Sequence, residues 1–378
     1  MLVILVIAAL YYHGGEKTAK TPVRSEMRSV QEKNATVFIV DENGRPISAE
    51  VTYTIGGKTY TIQTDGEANI PENAAFATIY AKGRIPTTIR AIINGRKVVV
   101  PLDPTKMTKT IMFKGCKEVF VAPIGAPVVD RFDCNAEIRL PEGIYRFAAA
   151  DANGCIVEEG NVTLRANKEI HIDKNTNGCK QVTVRVKDAE TGAPVSAWIT
   201  VNGIAKPCED GSCYVGTIGR CTDVYAWKDR YMRGYDHVCE ANTTILLNKA
   251  VDAELVHVTT DGNEIVVTDR DGVVIYVTHG STAEFIAPDN SYYIFAERWP
   301  ITTRVLATVP GDRNVRISVT PAPARITVKA GETVYVNDAP ACRGPKTCEL
   351  PALVTLRIVN EKGQEKVFVA LPGEERII

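Results

Sequence analysis

Cysteine and histidine are the residue types that most often bind metals or assist nucleophilic attack, and the chain has ten cysteines and five histidines. The histidines show no HxxxH, HExxH or two-histidine-one-carboxylate spacing. They are His13, His171, His237, His257 and His279. The sequence contains neither a GxSxG nucleophile elbow nor a glycine-rich phosphate loop. It therefore predicts no catalytic residue, no metal site and no cofactor, and we expect that the protein is not an enzyme.

The cysteines are better explained as disulfides, because their number is even and none stands in a CxxCH haem motif or in paired CxxC motifs. Three pairs enclose short loops, namely Cys208 with Cys213, Cys221 with Cys239, and Cys342 with Cys348. The other four form two further pairs whose connectivity stays open: Cys116, Cys134, Cys155 and Cys179. Cys239 lies two residues after His237, but as a half-cystine it has no thiol for nucleophilic catalysis.

Disulfides are typical of secreted and surface proteins, so we expect an extracellular location. Intracellular proteins of hyperthermophiles are an exception, and the four glutamines and eight serines among 378 residues favour a thermophilic protein. Three N-x-S/T sequons, at Asn34, Asn161 and Asn242, are the expected glycosylation sites of a secreted chain.

The charge balance argues against nucleic acid as a partner. Lysine and arginine number 44 and the acidic residues 45, so the net charge is -1 and no overall field attracts nucleic acid. With 45% hydrophobic and 24% charged residues the chain is expected to fold into globular units. We therefore expect further copies of this chain, other cell-surface proteins or glycans as partners, and no nucleic acid.

The N-terminus carries an apolar run that extends from Leu2 to Tyr12. A membrane-spanning helix needs roughly 20 residues, so this shorter run is typical of a signal peptide, or of an anchor if the chain starts further upstream. Its β-branched alternation also fits a strand that pairs with another subunit. In that case Leu2, Ile4 and Val6 would form the interface.

The chain contains an internal repeat with a nearly constant period. Strand-like segments with a common pattern begin at regular intervals, at Thr36, Thr110, Gln181, Ala253 and Arg325. Each repeat also ends with an apolar strand. The predicted boundaries are a linker segment at 1–33 and domains at 34–107, 108–178, 179–250, 251–322 and 323–378.

Alternation with a period of two runs through these repeats, as half-buried strands require. Asn-Gly or Asp-Gly, the strongest short hairpin signal, occurs nine times. No amphipathic helix is recognisable after residue 34. The fold class is therefore all-β, with five tandem small antiparallel β-sandwiches of the Ig-like kind. Short linkers, such as Lys174 to Gly178, predict a semi-rigid rod.

One acidic segment raises the question of calcium. Asp261, Glu264, Asp269 and Asp271 are clustered, and Ca²⁺ prefers carboxylates on loops. An Asp before a turn glycine also stabilises the turn without any ion. Because the EF-hand spacing is absent, we favour the turn interpretation.

Two segments carry a family resemblance. Val182 to Gly203 and Val37 to Gly57 resemble the first hairpin of carboxypeptidase regulatory-like (transthyretin-like) domains, and Thr64-Asp65-Gly66 and Thr268 to Gly272 resemble the turn that follows it. The match covers parts of units one, three and four. In that family the domain is non-catalytic and occurs in secreted surface proteins, so the resemblance implies a scaffold.

Two functions remain as hypotheses. The first is a secreted structural subunit of a cell-surface filament or surface layer. The fifth unit is short and is expected to lack a strand or two, so the N-terminal run of another copy could fill it and polymerise the chain head to tail. The alternative is an N-terminally anchored adhesin or ligand-binding module. It would bind through the insert from Cys221 to Cys239, with Trp227 and Tyr231 as contact residues.

Overall fold

The computed structural model describes residues 33–127, 129–173, 179–201, 204–218 and 221–378. The apolar run with Leu2, Ile4 and Val6 lies outside these ranges, so the donor-strand interface stays a prediction. The described chain consists of strands and two short 3-10 turns, at Pro104–Lys106 and Glu209–Gly211. No helix in the described ranges is long and apolar enough to span a membrane.

The strands fall into five consecutive groups of seven. Unit 1 holds β1 to β7: Asn34–Val40, Ser48–Ile55, Lys58–Asp65, Glu67–Pro71, Phe76–Tyr80, Thr87–Ile89 and Lys97–Val99. Unit 2 holds β8 to β14: Thr108–Lys114, Glu118–Pro123, Asp130–Asp133, Ile138–Pro141, Gly143–Ala150, Ile156–Leu164 and Lys168–His171. Unit 3 holds β15 to β21: Cys179–Asp188, Ala197–Val201, Ile204–Cys208, Ser212–Ile218, Thr222–Trp227, Gly234–Val238 and Asn242–Leu247.

The last two groups complete the described chain. Unit 4 holds β22 to β28: Ala253–Thr260, Glu264–Asp269, Val274–His279, Thr282–Pro288, Asn290–Arg298, Ile301–Val309 and Asn314–Ile317. Unit 5 holds β29 to β35: Ala324–Val328, Thr333–Val336, Ala339–Arg343, Lys346–Leu350, Thr355–Val359, Glu365–Val369 and Glu375–Ile377.

Every unit is a two-sheet sandwich with one topology. A three-stranded sheet has the unit's first strand at its centre, antiparallel to the fourth strand and parallel to the seventh. A four-stranded sheet carries the remaining strands in the order third, second, fifth, sixth. The chain is therefore all-β and built from tandem sandwiches, as the repeat predicts.

The fifth unit is complete, which corrects one prediction. Its sheets run β32-β29-β35 and β31-β30-β33-β34, the same arrangement as in the other four units. It is shorter because its strands have only three to five residues, whereas β26 and β27 of unit 4 have nine each. The expectation of a missing strand was wrong. Unit 5 is shorter because its strands are shorter, and their number is the same as in the other units.

Each sandwich has a core of its own, made by the inward residues of alternating strands. In unit 1, Val37, Ile39, Val51 and Ile79 are completely buried between the two sheets. Equivalent apolar clusters fill the other four units. Burial of such side chains contributes roughly 1.5–3 kcal/mol each and is the main stabilising contribution within a unit.

The units also pack against one another, so the predicted rod is wrong. In β23 (Glu264–Asp269) every residue is buried, which requires cover on both faces of the sheet. Its inner face lies in the core of unit 4. On the outer face, Val266 and Phe295 pack with Ala205 of unit 3. Phe120 and Ala148 of unit 2 similarly pack with Ile204 of unit 3.

The two ends of the described chain meet as well. Thr87 of unit 1 and Thr355 of unit 5 are buried and hydrogen-bonded through their hydroxyls at 2.9 Å. Arg165 of unit 2 pairs with Glu374 of unit 5 and donates to the carbonyl of Val369 at 3.1 Å. The five sandwiches are thus joined into a single packed body.

Candidate functional site

Four disulfides each join two cysteines of the same unit. They join Cys116 to Cys134, Cys208 to Cys213, Cys221 to Cys239, and Cys342 to Cys348. Cys155 is disulfide-bonded as well, and the side chain of Cys179 lies outside the described residues. No cysteine side chain in the described part of the chain is a free thiol. Cysteine chemistry by a thiolate is therefore unavailable there in the oxidised protein.

The segment from Cys221 to Cys239 is a β-hairpin of unit 3, formed by β19 and β20. The strands pair in register, with Thr222 opposite Val238 and Asp223 opposite His237. The disulfide follows directly at the open end of the hairpin. Alternation turns Thr222 and Val224 into the core, and it places Asp223 and its partner on the outer face.

The outer face of this hairpin carries a small polar network. Asp223 accepts a hydrogen bond from the phenol of Tyr235 at 2.9 Å, and its carboxylate lies 2.7 Å from Nδ1 of His237. The hydrogen bond to His237 is the largest cause that lowers the pKa of Asp223. The ring of Tyr235 also contacts that of Tyr225, with centroids 5.1 Å apart, and Arg233 lies over Tyr225.

This network contains a His–Asp pair that resembles a general base, and a group of side chains that resembles a set of metal ligands. An oriented His237 beside Asp223 could act as a general base, but the nearest sulfurs, Cys221 and Cys239, are joined to each other. These two cysteines and His237 have ligand atoms within 4.8 Å of one another, a spacing that would suit a metal ion. A thiolate ligand requires the reduced state. That the protein is not an enzyme stays a prediction.

The hairpin tip carries the two aromatic residues predicted as contacts, and the prediction was wrong for Trp227. Trp227 is only 2% exposed and packs into the core of unit 4, so it cannot serve as an external contact. Tyr231 packs against the core of unit 3 and donates its hydroxyl to Asp188 at 2.7 Å. Aromatic composition alone does not distinguish an outer binding surface from a contact between units.

The tip instead ties unit 3 to unit 4. Asp229 accepts the backbone N–H of Ile286 at 2.8 Å, and Arg233 reaches Asp269 at 2.6 Å and Asp271 at 2.5 Å. Asp269 also caps its own turn by accepting the N–H of Val273 at 3.0 Å. These acidic residues thus have structural partners, in line with the turn interpretation of the sequence.

A second candidate is the groove between units 1 and 5, with a volume of about 650 Å³. Basic side chains line it, namely Arg90, Arg96, Lys97 and Arg357, together with Asp338 and Glu365. Asp338 accepts two hydrogen bonds from Arg96, both at 2.7 Å, and one from Arg357 at 3.0 Å. Burial raises its pKa, but the hydrogen bonds from Arg96 and from the N–H of Arg90 outweigh this and leave the pKa lowered.

Sequence reasoning missed this groove because its two sides belong to units 1 and 5, at opposite ends of the described chain. The local signal was Asn337-Asp338, which forms the tight turn between β30 and β31 with both residues at positive φ. Asn and Asp tolerate that backbone conformation better than most residues. The turn presents the carboxylate of Asp338 to unit 1.

The three sequons lie on the surface. Asn34 begins β1, Asn161 lies in β13 and Asn242 begins β21, and each is exposed. Exposure is required for glycan attachment, and glycosylation stays a prediction.

No protein-family model matches the chain, and no curated protein matches it. The resemblance to carboxypeptidase regulatory-like domains is therefore not confirmed. Among solved structures, the Bacillus anthracis TIE protein is 12% identical, with 78% of this chain and 76% of that chain covered and a TM-score of 0.19. A streptococcal ancillary pilin is 13% identical, with 58% and 100% covered and a TM-score of 0.17.

Two B repeat units of the Staphylococcus aureus collagen-binding protein are 12% identical, with 76% of this chain and 99% of that chain covered and a TM-score of 0.14. Identities and TM-scores this low carry no argument about function. The proposals that follow rest on the residues and contacts of this chain.

Proposed function

We propose that the protein is a secreted structural subunit of a cell-surface filament or surface layer. The observation that carries the proposal is that five sandwiches of one topology pack into one body, with disulfides inside units 2, 3 and 5. Disulfides persist outside the cytoplasm, where small sandwiches gain stability from such links and from their neighbours.

Polymerisation belongs to this proposal as its finer step. Strand addition needs an open sheet edge, and the complete unit 5 still offers the outer edge of β31. The acceptor is therefore an existing edge of a complete sheet, not a gap left by a missing strand. The donor is the apolar run with Leu2, Ile4 and Val6 on one face. Such a head-to-tail contact would propagate a fibre of identical subunits.

The location is tested by recovering the protein from intact cells without a reducing agent. The expected result is recovery from the surface fraction, with an intact mass that is light by two hydrogens per disulfide. Mass added at Asn34, Asn161 and Asn242 would reveal glycans, and Asn-to-Gln variants would remove it. Recovery of reduced thiols from the cytoplasm would overturn the proposal.

Polymerisation is tested by a matched pair of triple variants. Changing Leu2, Ile4 and Val6 to Thr alters one face of a strand, whereas changing Val3, Leu5 and Ile7 to Thr alters the other. A donor strand with the first face buried predicts that only the first variant stops assembly. If both variants assemble normally, or if N-terminal sequencing shows that mature assemblies lack these residues, the donor-strand step is wrong.

A further inference from the structure

Four side chains stand side by side across the four-stranded sheet of unit 4. Glu264 lies directly opposite Glu297 on the neighbouring strand β26, and it lies opposite His279 on β24. Thr302 on β27 continues the row beyond Glu297. Two carboxylates at directly opposed positions of an antiparallel pair repel each other when both are ionised.

The end of this face that carries the row is covered by unit 2. The ring of Trp299 contacts that of Tyr145 of unit 2 at a tilt of 39°, with ring centroids 5.6 Å apart. At Gly143 the backbone of unit 2 lies so close that an added Cβ would be 2.6 Å from Pro300. Within this joint, Glu297 is 2% exposed and Glu264 is 9% exposed.

The carboxyl group of Glu297 has no counter-ion in direct contact. Its Oε1 is buried and has no hydrogen-bond partner. The basic group that faces it from unit 2 is Arg146, which donates instead to the carbonyl of Pro127 at 3.3 Å, and no ion pair joins it to Glu297. An ionised carboxylate that is buried without a partner loses its hydration and gains nothing in exchange, so the neutral acid is favoured.

The other charged groups around the joint do not change this balance. Asp130 of unit 2 faces both glutamates and adds negative charge. His279 lies 3.8 Å from Glu264 at the exposed end of the row, and the charge of Glu159 acts on Arg146. In the described chain these acids do not form a trio with oxygens within 4.8 Å of one another. The geometry therefore suits a bound proton better than a divalent cation.

We infer that the joint between units 2 and 4 is operated by a proton: it is closed while Glu297 is protonated and loosens when Glu297 ionises. Because the carboxyl group of Glu297 is buried beside Glu264 and has no counter-ion, it must be protonated in the closed joint. Opening of the joint would expose the carboxyl group to water, where it releases the proton at its ordinary acidity.

The direction of the pH effect follows from the closed state. Burial, then the nearby Glu264 and Asp130, raise the pKa of Glu297 to about 8, against the smaller opposite effect of Arg146. Burial is also the main reason that the pKa of Glu264 is raised. A raised pKa in the closed state means that the joint is strongest below about pH 4.5, the ordinary value, and loses stability up to about pH 8.

The test compares wild type with Glu297→Gln, which resembles the protonated acid at every pH. Calorimetry of the full chain at about pH 5 and about pH 9 is expected to show a wild-type melting temperature several degrees lower at the higher pH. Glu297→Gln should remove most of this difference and melt higher than wild type at about pH 9. Glu284→Gln, on an exposed residue paired with His257, is the matched control and should leave the pH dependence unchanged.

Two results would overturn the inference: an equal pH dependence in wild type and Glu297→Gln, or a variant that is less stable than wild type at about pH 9. Carbon-13 NMR of glutamate carboxyls in wild type provides a check that needs no variant. It should show one signal that titrates near pH 8, and titration of every glutamate near its ordinary pKa would contradict us. If Ca²⁺ raises the melting temperature at about pH 9 only when Glu297 is present, the group binds a cation and the proton mechanism is wrong.

Discussion

Arg96 and Asp338, which belong to the first and the fifth sandwich, form a two-pronged ion pair with both N–O distances at 2.7 Å. The side chains are 17% and 8% exposed, so water screens the pair poorly. Arg357 of unit 5 shares the same carboxylate. The pair joins unit 1 to unit 5. A substitution that breaks it therefore tests whether these two units are in contact.

Asp338→Asn is expected to destabilise the contact between units 1 and 5. The variant leaves Arg96 and Arg357 without a negative partner in a partly buried site, which costs about 3 kcal/mol. Chemical denaturation of the full chain measures this cost. The control is Arg325→Gln, which breaks a pair with Glu375 whose side chains are 60% and 72% exposed and should cost less than about 1 kcal/mol. Equal effects of the two variants would refute the buried pair.

Trp227→Ala is expected to weaken the junction of units 3 and 4. The ring is 2% exposed and packs into the core of unit 4, so truncation leaves a cavity and costs about 3–5 kcal/mol. Thermal or chemical unfolding measures the loss. Tyr214→Ala, in the same unit but 61% exposed, should change stability by less than about 0.5 kcal/mol. A mild effect of Trp227→Ala would mean that the ring lies in solvent.

Gly216→Ala tests the contact between units 2 and 3. An added Cβ would lie 2.4 Å from the carbonyl oxygen of Gly154 and 2.5 Å from the N–H nitrogen of Cys155, both in the backbone of unit 2. Backbone atoms cannot yield without moving a unit, and we expect a loss of about 1–3 kcal/mol. Ser212→Ala, at an exposed position of the same strand, serves as the control. If Gly216→Ala is as stable as the control, units 2 and 3 do not meet at this point.

Removal of disulfides should follow the length of the loop that each one closes. Cys116 and Cys134 are 18 residues apart, so replacing both with Ser is expected to cost about 3 kcal/mol in the loop-entropy account. Cys342 and Cys348 are 6 residues apart, and the same replacement should cost about 2 kcal/mol. Denaturation of both variants without a reducing agent measures the two costs. A larger loss from the shorter loop would contradict this ordering.

The repeat and the alternation of apolar residues were sufficient to predict the sandwiches, because both depend on neighbours within one unit. The packing of units was missed although a local signal was present. Residues Glu264–Asp269 form a strand in which every residue is buried, and the apolar stretch Ile265 to Val267 breaks the alternation of a half-exposed strand. Such a run predicts cover on both faces. It does not say which unit provides the cover.

Trp227 shows a second limit of sequence reasoning. Its segment has the composition of a binding surface, and its side chain nevertheless fills the core of the next unit. The same physical preference for burying large aromatic area operates at contacts within a chain and between chains. Only the position of unit 4 decides between them.

Small-angle X-ray scattering of the oxidised full chain tests the packed arrangement most directly. A fully compact body of this length would have a radius of gyration of about 20 Å. The contacts of Arg96 with Asp338 and of Trp299 with Tyr145 predict a measured value closer to this limit than to that of an extended string. A string of separate sandwiches would give at least twice that radius, and such a result would contradict the account.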